Sequence, residues 1–266
     1  REAGYYCSNN FKEDYNFESP SGMWNDSSRQ AHWRNRAPGQ PFFSVFNFMT
    51  THESRLRFDE EAFAKLTASL TPDQRHDPAK VTLPTWLPDT PEVRREWARN
   101  HDLISAMDHQ VNRLLAQLEA DGLADDTIVM FYTDHGAGLP RAKQFNFEAG
   151  LQVPLIVHAP EKWRRLMAKE SGRVDHQLVS LIDLMPSVLA LLNLPIPEVV
   201  QGRDVLSARA GAPNEFIYSI RDRMDERIDM TRTVRGDRLK YIRNALPHVP
   251  HFPWLDYMDL LDTSKA

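Results

Sequence analysis

"IVMFYTDHGAGLP" (residues 128–140) is the stretch that decides the fold. Its apolar, β-branched start reads as a short buried strand. The run stops at Thr133-Asp134-His135-Gly136, which sets a carboxylate beside an imidazole just past the strand's carboxyl end. Upstream, Ile104, Met107, Val111, Leu114 or Leu115, and Leu118 recur at steps of three and four, predicting a one-sided helix over 92–120. Asp121-Gly122 ends it, with Gly122 a natural left-handed cap. Downstream, "LQVPLIVHAP" (151–160) is a second apolar strand. Helix, turn, strand, loop and strand in that order argue for an α/β domain with a largely parallel sheet flanked by helices.

The remaining elements fit this plan. "PFFSVFNFMTTHESR" (41–55) predicts a buried strand ending near Phe48 and a polar loop after it. Residues 58–70 read as a helix, and the proline-rich 71–91 as loop. "HQLVSLIDLMPSVLALLNL" (176–194) reads as an amphipathic helix with a break at Pro186, and 215–220 as a strand. "TRTVRGDRLKYIRN" (231–244) is a hairpin around Gly236-Asp237. The expected organisation is a main domain over 1–205 and a small antiparallel C-terminal subdomain over 206–266.

The chain has 266 residues and is 41% hydrophobic and 26% charged, enough to bury a large core. Its formal net charge of -5 argues against nucleic acid as a partner. No apolar run approaches the roughly 20 residues of a membrane span. Cys7 is the single cysteine, read as a small buried hydrophobe, so an internal disulfide is excluded.

In a parallel sheet, ligands gather at the carboxyl ends of the strands. Asp134 and His135 lie just past one end and His52 a few residues past another; Lys143 follows in "RAKQFNFEAG", and Lys12 stands in "GYYCSNNFKEDYNF". Asp134 with His135 suits a divalent cation. Lysines and a histidine beside it suit a tetrahedral anion, sulfate or phosphate. Taken singly, each has a plainer reading. Asp-His can be a turn or cap, His52 a hydrogen-bonded loop residue, and Lys12 and Lys143 solvated charges. Glu53 with Arg55 can be a surface ion pair. Asp102, Asp108 and His109 read as the polar face of the long helix, and Asp183 as a local cap.

In combination these segments resemble the sulfatases of the alkaline phosphatase-like superfamily. "MDHQVNRLLAQLEADGLADDTIVMFYTDHG" is similar to their helix, turn, strand and metal loop, and "KQFNFEAGLQVPLIVHAP" to their Lys-x-x-x-x-Glu segment and following strand. The resemblance covers nearly the whole chain. It implies that Asp134 and His135 match the later pair of metal ligands, with calcium the first choice and magnesium or manganese the alternatives. It implies that Lys143, His52 and Lys12 contact the sulfate. Two departures stand out. Phe11 replaces a family glycine, and Asp14 stands where the family commonly has a histidine.

The family nucleophile, a formylglycine made within Cys/Ser-x-Pro-x-Arg, has no counterpart in these 266 residues, and no Asp-Asp pair stands in residues 1–12 to match the early metal pair. The expectation is therefore an N-terminally truncated sulfatase, hydrolytic as a full-length protein and inactive as this chain alone. A periplasmic or extracellular location is expected if the remainder carries a signal peptide. The expected substrate is a small-molecule or carbohydrate sulfate ester: Trp24, His32, Trp33, Arg34 and Arg36 in loop 17–40 suit sulfated sugars, and equally they can simply anchor a long surface loop. Two other readings stay open: a phosphoester or phosphonate hydrolase of the same superfamily, and a non-catalytic binding remnant.

Overall fold

The long helix α2 (Pro91–Ala120) shows why the sequence pattern works. The Thr90 side chain accepts from the Val93 amide, Pro91 occupies the first turn where no amide is needed, and Glu92 faces the positive end of the helix. Gly122 closes it with φ +68°. The computed structural model describes residues 1–250 and 254–266. They fall into two units, Arg1–Thr51 and His52–Ala266.

The first unit holds a parallel sheet of β1 (Tyr6–Asn10), β2 (Asp26–Ser27) and β3 (Phe42–Phe46) in the order β2-β1-β3. Asn9 is 1% exposed and ties the strand ends together. It donates to the Lys12 carbonyl at 3.0 Å and accepts from Asn47 at 3.0 Å. Cys7 is half-buried rather than fully buried, with its Sγ 3.6 Å from the N-terminal amine.

The second unit begins with α1 (Glu60–Leu66), shorter than the predicted 58–70 because Asp59 caps it and Thr67 ends it. After α2 come β4 (Val129–Tyr132), α3 (Glu148–Leu151) and β5 (Leu155–His158). β4 and β5 pair directly with each other and antiparallel, Met130 opposite Val157. α4 (Leu184–Leu191) is the helical core of the predicted 176–194, and Pro186 lies in its first turn instead of breaking it. Asp183 in front of α4 is buried; its side chain closes the capping box of the 3-10 turn before α4, the local role expected, and also reaches beyond it. It accepts from the amides of Ser180 and Arg203 and from Asn214 at 2.9–3.0 Å.

β6 (Ile217–Met224), β7 (Arg227–Arg235) and β8 (Lys240–Asn244) form an antiparallel sheet in sequence order. A short α5 (Asp262–Lys265) follows, its first amides held by the buried Glu96 carboxylate of α2. The sheet turns polar residues inward. Arg221, Asp229, Thr231 and Thr233 are buried, whereas Tyr218, Ile220 and Tyr241 are 65–71% exposed.

The core of this unit joins Leu56, Phe63, Leu103, Leu139, Leu255, Met258 and Leu261. It therefore anchors α1, α2 and the loop after β4 in one place. The predicted stripe of α2 is buried in part: Leu118 is inside and Met107, Val111 and Leu114 are half-buried, while Ile104 and Leu115 stay over 40% exposed and Val93, Leu103 and Ala106 form the most buried positions. Asp102 is likewise inside the fold, not on a solvated face. It accepts from the His76 amide at 2.8 Å and its carboxylate lies 2.9 Å from His76 Nδ1. No helix among the described residues is long and apolar enough to cross a membrane.

Candidate active site

β4 hands over to a loop that is held from both sides by backbone. The Gly136 amide donates to the Gly150 carbonyl at 3.0 Å, and the Lys143 amide to the Ala137 carbonyl at 2.9 Å. The close approach explains the glycines. A Cβ on Gly136 would lie 1.8 Å from the Ala149 carbonyl oxygen, and one on Gly138 would lie 2.2 Å from the Glu53 Cβ. Leu139, 1% exposed, pins the end of the loop into the core.

Asp134 and His135 stand at the start of this loop. His135 Nδ1 is 2.7 Å from the Gly136 carbonyl oxygen, which can only accept, so Nδ1 carries the proton. The Nε2 lone pair is left for a ligand and lies 3.6 Å from an Asp134 oxygen. That spacing matches two neighbouring oxygen or nitrogen ligands around a hard cation, about 3.4 Å apart for bonds of about 2.4 Å at right angles. A histidine oriented by a carbonyl on its other nitrogen is a typical metal-ligand arrangement. The pair thus fits part of a divalent-cation site. Among the described residues no third histidine, cysteine or carboxylate joins it.

Lys143, His52 and Glu53 come together. The Lys143 ammonium is 2.5 Å from Glu53 Oε1, and His52 Nε2 is 3.7 Å from Glu53 Oε2. Glu53 is 2% exposed, so it belongs to a buried ion pair with Lys143 and not to a surface pair with Arg55. Burial alone would raise its pKa. The hydrogen bond and charge of Lys143, with help from backbone and His52, outweigh burial and hold the carboxyl below its usual value. Tyr257 sits against the same group, and burial together with its hydrogen bond to Glu53 pushes the phenol up.

His52 has a defined tautomer. Its Nδ1 accepts from the Ser54 amide at 3.3 Å as the cap of a short 3-10 turn, with the Ser54 hydroxyl 2.8 Å away. In the neutral ring the proton then sits on Nε2, the nitrogen nearer Glu53. A neutral imidazole with Nε2–H donates a hydrogen bond to an oxygen placed before it, and the protonated ring can pass that proton on.

The segment carrying Lys143 rests on the C-terminal sheet. Asn146 donates to Thr231 at 2.9 Å, both buried, and Lys240 donates to the Asn146 carbonyl and to Glu148 at 2.9 and 2.7 Å. The buried Arg221, paired with Asp229 at 3.1 Å, lies over the Phe145 ring at 4.6 Å. Burial lowers the pKa of this guanidinium, and the Asp229 charge opposes the shift. Arg141 and Gln144 adopt φ of +67° and +76°, which places Lys143 between two left-handed residues.

Lys12 belongs to the first unit, just beyond the carboxyl end of β1, with its ammonium 3.1 Å from Asp14. Glu53 and Tyr257 were missed as site residues by sequence reasoning. For Glu53 one signal existed, its position next to His52. Tyr257 offered none.

The Sulfatase family model matches residues 4–194. An ulvan-active sulfatase of Formosa agariphila is 37% identical over 273 residues, covering 93% of this chain and 45% of that protein. The human N-sulphoglucosamine sulphohydrolase is 31% identical over 149 residues, covering 53% of this chain and 29% of that protein. The chain thus spans less than half the length of these relatives. A structure solved in complex with its substrate D-glucosamine-2-N,6-O-disulfate shares the fold at TM-score 0.60 and 15% identity, over 91% of this chain and 71% of that one.

Proposed function

The chain belongs to the sulfatase family, and from that premise we propose that it is part of a hydrolase cleaving a sulfate ester on a sulfated carbohydrate. The observation that carries the reading is the loop 134–143. It holds Asp134 and His135 at one end and Lys143 at the other, with Lys143 meeting Glu53 beside His52.

In this reading Lys143, Lys12 and His52 bind the sulfate oxygens and oppose the negative charge that builds on them. His52 in its protonated form, with the Ser54 hydroxyl facing Nδ1, also gives its Nε2 proton to the departing alcohol oxygen and returns to the neutral ring. Asp134 and His135 hold a divalent cation, calcium first, which when bound supplies positive charge to the sulfate oxygens. The nucleophile is a formylglycine contributed by protein outside residues 1–266, because no Cys/Ser-x-Pro-x-Arg stands within them. The 266-residue chain alone therefore lacks turnover. The sugar preference rests on the two sulfatases acting on ulvan and on N-sulphoglucosamine; in loop 17–40, Trp33 is buried against Phe42 and Phe46 and Arg36 is bonded to the Trp33 and Gln40 carbonyls, so these two anchor the loop instead of offering themselves to a sugar. Action in the periplasm or outside the cell belongs to the same proposal, conditional on a leader in the rest of the protein.

The test is turnover of sulfated saccharides by the complete protein. Chelation should abolish it and calcium restore it. His52→Ala or Lys143→Ala should each lower turnover by about two orders of magnitude. Unchanged rates in both variants would overturn the site.

A further inference from the structure

Both lysines assigned to the sulfate keep a carboxylate at the ammonium: Lys12 has Asp14 at 3.1 Å and Lys143 has Glu53 at 2.5 Å. The two carboxylates differ in setting. The Asp14 side chain is 76% exposed, so water and salt screen it. Glu53 is 2% exposed, with Gly138 packed along its side chain from Cβ to Oε2. Lys143, His52 and Tyr257 surround its carboxylate, and Arg57 lies over the Tyr257 ring at 5.1 Å. A buried negative charge thus stands behind the Lys143 ammonium.

We infer that Glu53 is a specificity-determining residue that selects a singly charged sulfate ester over a doubly charged phosphate monoester. The inference rests on the proposed function and deepens it. The two esters share a tetrahedral shape, so contacts alone separate them poorly. Their charge differs: a sulfate monoester carries one negative charge, a phosphate monoester nearly two at neutral pH. An ammonium has three donors, and Glu53 takes one, leaving two for the ester. An ester oxygen held by Lys143 then lies within about 5.5 Å of the Glu53 carboxylate, where each added ligand charge is repelled with little screening. The same repulsion acts on the product, because inorganic sulfate is a dianion while its ester is not. Glu53 therefore also speeds product release.

The experiment compares the complete wild-type protein with Glu53→Gln on 4-nitrophenyl sulfate and 4-nitrophenyl phosphate. The variant should lower the sulfate-to-phosphate ratio of kcat/KM by about tenfold or more, and inorganic sulfate should inhibit it about tenfold more tightly. A residue that only shapes the site would change both esters alike, and an unchanged ratio overturns the inference. Wild-type protein turning over phosphate but not sulfate esters would instead overturn the parent reading.

A second measurement needs no variant. Inhibition of the wild type by inorganic phosphate is followed with rising pH, each value referenced to inorganic sulfate at the same pH, which cancels titration of the protein. Relative inhibition should weaken as phosphate loses its second proton. Relative tightening, or no change, overturns the selection even if Glu53→Gln fails to fold.

Discussion

The Lys143 ammonium meets the Glu53 carboxylate across ninety residues of chain, at 2.5 Å, in a place where Glu53 is almost fully buried. This single contact joins the start of the second unit to the loop after β4. It also gives the fold a pH signature. The folded Glu53 pKa lies below its unfolded value, so the unfolded chain takes up the proton first on acidification. The pair's contribution is complete above the free glutamate pKa of about 4.3 and fades as pH falls through the folded value. Glu53→Gln should cost about 1–3 kcal/mol at pH 7. The gap to wild type should narrow in urea titrations at about pH 3 to 4. A gap that stays constant from neutral to acid would contradict the ion-pair account.

The support under Lys143 can be tested without touching the site. Thr231→Val keeps the shape of the side chain but removes the acceptor for the buried Asn146 amide. A buried donor left without a partner costs about 1–3 kcal/mol. Amide hydrogen exchange should rise in residues 141–150 more than in α2. Uniform protection in both regions would show that the sheet does not hold the lysine segment.

Gly136 is a position where one methyl group decides. An alanine there would drive its Cβ into the Ala149 carbonyl, so backbone must move on one side or the other. Gly136→Ala should cost about 1–3 kcal/mol or more. It should also weaken calcium binding by the complete protein, because Asp134 and His135 shift with the loop. Gly211 has nothing within 4 Å of its would-be Cβ and serves as the reference. Gly211→Ala should stay within about 0.5 kcal/mol of wild type. Thermal melting of the two variants reads the difference.

Much of the chain was legible because its signals are local. Thr90-Pro91 and Asp121-Gly122 bracket α2 within a residue or so of the prediction. Gly236 sits in the β7–β8 turn as the hairpin pattern requires, its amide bonded to the Leu239 carbonyl. Asp134 and His135 were visible because an apolar run ends abruptly at them. The strands β1 and β2 were not visible, since "YCSNN" is mostly polar and Asp26–Ser27 is two residues long. Their stability comes from pairing partners, which no window of sequence contains. Glu53 and Asp102 escaped for the same reason. A carboxylate looks solvated until its partner arrives from Lys143 or from His76, both distant in sequence.

The antiparallel sheet β6-β7-β8 is turned inside out relative to an ordinary amphipathic sheet. Charged and hydroxyl side chains are sequestered, and Tyr218, Val234 and Tyr241 line up across the three strands on the opposite face, with Ile220 beside them. That row is a liability for anyone preparing these 266 residues by themselves. It offers a greasy, β-rich plate to any other copy in the tube. The plate lies tens of residues away in sequence from Lys143, whose loop the other side of the same sheet supports.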